Sequence, residues 1–70
     1  MNKKQKRQFY NYHTSVWQRE MELIENNLFS LELDRMMDKE TKNNLVKVYK
    51  NRIKRCKYNI TRNKNLKNKL

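Results

Sequence analysis

Across 70 residues the chain contains neither glycine nor proline. Glycine supplies the positive-φ positions of tight hairpin turns, and proline supplies rigid breaks between short elements. A chain lacking both has little means of punctuating strands, so long uninterrupted helices are its natural structure. The expected fold class is therefore all-α.

The spacing of apolar residues specifies how those helices pair. Trp17, Met21, Ile24, Leu28 and Leu31 follow one another in steps of four, three, four and three. That pattern draws a single stripe down one face of a helix. Val46, Tyr49, Ile53, Cys56 and Ile60 repeat it with the steps reversed. If the chain doubles back, Leu31 meets Val46, Leu28 meets Tyr49, Ile24 meets Ile53, Met21 meets Cys56 and Trp17 meets Ile60. In every pair the residue numbers add to the same constant, which places the reversal between Asp38 and Lys39. Asp38 is a natural cap for the second helix, because its carboxylate can accept hydrogen bonds from unpaired N–H groups of the first turn. Glu40 then lies where the helix dipole favours an anion.

The sequence thus predicts an antiparallel two-helix hairpin over residues 8–61. Helix one is expected at about 8–36, the turn at about 37–39 and helix two at about 39–61. Beyond Trp17 and Ile60 the seam turns polar, with Thr14 set to face Asn63 and Tyr10 to face Lys67. Residues 1–7 and 62–70 are accordingly expected to be flexible basic tails. In the same register Glu20 falls near Lys57 and Glu25 near Arg52, flanking the seam.

A chain of this length has difficulty burying enough surface to fold alone. Disulfides, a metal or oligomerisation are the usual supports. One cysteine, Cys56, makes no internal disulfide, and with one histidine, His13, it does not complete a tetrahedral zinc site. No cofactor is expected. What remains is a partner surface. Phe9, Val16 and Leu23 form a seven-spaced stripe about 100° from the seam, and Phe29, Leu33, Met36 and Met37 cluster near the turn. These residues point to a homodimer, with two hairpins pairing into a four-helix bundle, or else to another protein.

Charge narrows the partners further. Eighteen lysines and arginines against seven acids give a net charge of +11. All seven acids lie between Glu20 and Glu40, while the segment from Thr41 to Leu70 holds eleven cations and no acid. Lysine and asparagine both have AT-rich codons, so a low-GC genome explains part of the bias, as in a phage or mobile element of a low-GC bacterium. Codon bias scatters lysines, however, and does not clear acids from thirty residues. Folding the hairpin brings both basic ends together opposite an acidic turn, a geometry suited to a polyanion.

The candidate nucleic-acid contacts on the first arm are Lys3, Lys4, Lys6, Arg7 and Tyr12. Those on the second are Lys54, Arg55, Lys57, Tyr58, Arg62 and Lys64. Tyrosines among cations can stack on unpaired bases. Asn11, Asn59 and Asn63 are of a type that reads base edges.

Catalysis is not expected. With no glycine there is no phosphate-cradling loop. His13 sits near the end of the seam without a paired acid or nucleophile, and Cys56 falls on the seam as a small apolar side chain. Neighbouring Arg52, Arg55 and Lys57 are expected to lower the Cys56 pKa. No apolar run approaches the roughly 18 residues of a membrane span and no leader-like segment follows Met1, so a cytoplasmic location without membrane contact is expected. A host enzyme, such as a polymerase, kinase or defence nuclease, is the alternative target, gripped through the apolar stripe and the basic surface.

Overall fold

A computed structural model describes all 70 residues as two helices, α1 over Lys3–Leu33 and α2 over Lys39–Asn68. They pack against each other as a hairpin 53 × 14 × 14 Å in extent. There are no strands, and no residue has positive φ.

The seam forms where the apolar spacing places it. Ile24, Leu31, Cys56 and Ile60 are buried between the helices, and Trp17, Met21, Leu28, Val46, Tyr49 and Ile53 are half-buried. Apolar area leaving water on this line holds the two helices together. The core is thin, since only four of the 70 residues are fully buried.

The reversal is built from side chains. α1 stops at Leu33, short of the expected position near 36, because Asp34 adopts an extended backbone with φ −70° and ψ 119°. Its Oδ1 accepts hydrogen bonds from the N–H groups of Met36 (2.8 Å) and Met37 (3.2 Å). That arrangement competes with helix continuation. Lys42, reaching back from α2, donates its Nζ to the carbonyls of Glu32 (2.8 Å) and Asp34 (2.9 Å). It satisfies carbonyls that the helix end leaves unpaired, and it puts a cation where the α1 dipole is negative. Asp38 caps α2 as expected: its Oδ2 accepts from Thr41 N at 3.0 Å and from the Thr41 hydroxyl at 3.1 Å. These bonds hold the Asp38 carboxyl below its ordinary value of 3.8.

Both helices run further at the open end than the apolar seam suggests, and much of each segment expected to be a flexible tail lies within a helix. At the start of α1, Asn2 Oδ1 accepts from Gln5 N (2.9 Å) while Gln5 Oε1 accepts from Asn2 N (3.0 Å). This reciprocal capping box satisfies two orphan groups at once. The polar continuation of the seam is also partly shielded. Tyr10, Thr14, Asn63 and Lys67 are all half-buried, as are Leu66 and Leu70. Among them, the Tyr10 ring and the Lys67 stem are of the kind that covers apolar surface while the polar tip stays wet.

Candidate nucleic-acid interface

The hairpin places the N-terminal arm of α1 and the C-terminal half of α2 at the same end of the rod. Lys3, Lys4, Lys6 and Arg7 are exposed on the first, and Lys54, Arg55, Lys57, Arg62 and Lys64 on the second. None of these cations makes a hydrogen bond within the chain; Lys42, at the opposite end, is the cation that does. Unpartnered ammonium and guanidinium groups are free to replace the counterions of a polyanion.

Five lysines of α2 lie on a different face from its arginines. Lys47, Lys50, Lys54, Lys57 and Lys64 follow in steps of three, four, three and seven, which aligns them on one side of the helix. All five are exposed, and none lines a crevice. The arginines instead border apolar side chains. Arg52 and Arg55 line a crevice with Trp17 and Ile24, and a second one with Val48. Arg62 lines another with Tyr58 and Leu66. A guanidinium is planar and weakly hydrated, so it tolerates apolar neighbours that the compact, strongly hydrated ammonium avoids. Lys47 and Lys50 were not singled out in the sequence, although their helical spacing with Lys54 and Lys57 was there to be seen.

The two tyrosines separate. Tyr58 is 66% exposed and stands beside Arg62. Tyr12, 67% exposed, lies along α1 in a crevice with Val16, Arg19 and Leu23, and so joins the apolar stripe of that helix. Its ring meets His13 edge-on with centroids 5.4 Å apart, and His13 is 4.3 Å from the Phe9 ring. Asn59 donates its amide to the Arg55 carbonyl at 3.0 Å, which ties one of its donors to its own helix.

Around the stripe, Phe9, Val16 and Leu23 are each about half exposed, at 47%, 45% and 55%. Phe29, Leu33 and Met36 are exposed at the turn end, whereas Met37 is half-buried with its N–H held by Asp34.

No protein-family model, curated protein or solved structure matches the chain.

Cys56 is buried on the seam as expected, but its pKa moves opposite to what its cationic neighbours alone suggest. Burial between the helices pushes its thiol up, the Glu20 carboxylate adds to this, and Arg55 only partly opposes them. Desolvation of the thiolate outweighs the nearby cation. Glu20, expected beside Lys57, lines the Trp17–Ile24 crevice with Arg52 and Arg55. No helix is long and apolar enough to cross a membrane.

Proposed function

We propose that this protein is a nucleic-acid-binding accessory or regulatory module that grips phosphates with the basic open end of its hairpin and works as a homodimer. The observation that carries this reading is the set of exposed cations, without side-chain hydrogen-bond partners, that runs from mid-rod to the open end, away from Glu32, Asp34, Asp38 and Glu40 of the turn. A net charge of +11 on a rod 53 Å long attracts a polyanion from a distance and orients it toward that end. Phosphate contacts dominate in this reading. Such contacts position a protein on nucleic acid without reading its sequence, so sequence preference is weak. Tyr58 beside Arg62 adds a stacking surface suited to unpaired bases.

The deciding experiment is an anisotropy titration of labelled DNA duplex, single strand and RNA hairpin at about 50 and 200 mM salt. Neutralising roughly six phosphates should cost on the order of a thousandfold in affinity across that range. Equal, weak binding to all three and to an unrelated polyanion removes the reading.

One observation supports a second reading, an inhibitor of a host enzyme. The α1 crevice bordered by Tyr12, Val16 and Leu23 is an open apolar surface outside the basic set. Alanine at the stripe abolishes inhibition under that reading, whereas alanine at Lys54, Arg55, Lys57 and Arg62 abolishes nucleic-acid binding under the first.

A further inference from the structure

From the stripe on α1 we infer how two copies pair: antiparallel, α1 against α1, with Val16 of each copy on the two-fold axis. This rests on the homodimer reading and specifies its geometry.

Phe9, Val16 and Leu23 are spaced by sevens, so the stripe reads the same from either end. Rotated about an axis through Val16, the helix lays Phe9 on the partner's Leu23 and Leu23 on the partner's Phe9. A self-complementary patch of this kind is what an isologous two-fold interface requires. The stripe is half exposed in the single hairpin, which buries only four residues of its own. Tyr12 comes level with the partner's Glu20, where a phenol can donate to a carboxylate; both residues border the crevice that the partner helix would enter.

Charge selects this direction. Arg19 and Glu20 border the crevice beside the stripe, together with Tyr12, Val16 and Leu23. Antiparallel pairing sets Arg19 level with the partner's His13 and Glu20 level with the partner's Tyr12, so neither charge meets its own copy. Parallel pairing would set Arg19 against Arg19 and Glu20 against Glu20, a like-charge arrangement that costs stability. The α2 lysines sit on another helix face and stay clear of the contact. Lys3 lies thirteen residues from the axis, so the two basic ends point apart, their N-termini roughly 40 Å from each other.

Sedimentation equilibrium without nucleic acid, combined with disulfide mapping, tests the arrangement. Cys56 is buried and is left in place, with the linked positions identified by peptide mass mapping. The wild type should sediment as a dimer of 8.8 kDa chains. Val16→Cys should link to itself. Phe9→Cys and Leu23→Cys should each fail to self-link yet join when mixed. Val16→Glu, which doubles its charge at the axis, should weaken the dimer at least thirtyfold or so, with helix content retained. A monomer at every concentration overturns the dimer together with its arrangement. A dimer in which Phe9→Cys links to itself, or which Val16→Glu leaves intact, overturns the arrangement alone.

Discussion

The two ends of the rod use charge in opposite ways. At the turn, charged side chains are engaged within the chain: Asp34 holds the N–H groups of Met36 and Met37, Asp38 holds Thr41, and Lys42 spans two carbonyls of the other helix. At the open end the cations hold nothing. Charge at the turn thus contributes to folding, while charge at the open end repels itself and, under the proposed function, is offset when a polyanion binds. Lysine has a structural role at the turn, and the proposed function gives it a binding role at the open end.

Substitutions should break this contrast unequally. The largest effect is expected on binding. Replacing Lys54, Arg55, Lys57 and Arg62 with glutamine should flatten the logarithmic salt dependence by about four and lower nucleic-acid affinity at least a hundredfold or so near 100 mM salt. Thermal stability should hold or rise as self-repulsion falls; a lowered melting temperature would place these residues among the groups that hold the fold.

Lys42→Met should act the other way. Losing the bonds to Glu32 and Asp34 should cost about 2 kcal/mol, seen as a drop in Tm on the order of 10 °C. Affinity for nucleic acid, measured below the lowered Tm, should change by less than about twofold, since a single remote charge is screened. An affinity loss matching that of the basic-end variant would erase the distinction between the ends.

Asp38→Ala is the smallest of the three, a fall of roughly 5 °C in Tm at neutral pH. The Asp38 pKa is lowered on folding, so its contribution is full above its ordinary value of 3.8 and is lost as pH falls through the lowered value. The gap between wild type and variant in a circular-dichroism melt should therefore shrink on acidification. A gap that stays constant with pH would mean that the side chain caps α2 without drawing on its charge.

The seam and the Asp38 cap were legible in the sequence because both are local or periodic: a step pattern fixes a face, and a carboxylate before a helical run fixes a start. The extent of the helices was harder to see. Tyr10, Thr14, Asn63 and Lys67 look like the end of a core by polarity, yet all four are half-buried. The Asn2–Gln5 capping box was there to be read, three residues apart, but a run of lysines around it suggests a loose tail. Other features depend on tertiary geometry. Lys42 finding Glu32 and Asp34, and Glu20 standing with Arg52 and Arg55, follow from how the helices cross. So does the burial that raises the Cys56 thiol above what its cationic neighbours alone would give.

Cys56 is the sole sulfhydryl in the chain and is only 2% exposed at the line where the helices meet. An alkylating reagent can reach it only when the arms part. When reclosing outpaces alkylation, the observed labelling rate divided by that of an unprotected thiol gives the fraction of time the hairpin spends ajar. The chain therefore carries its own breathing gauge: a ligand or second copy that clamps the arms slows labelling, and no foreign probe has to be attached.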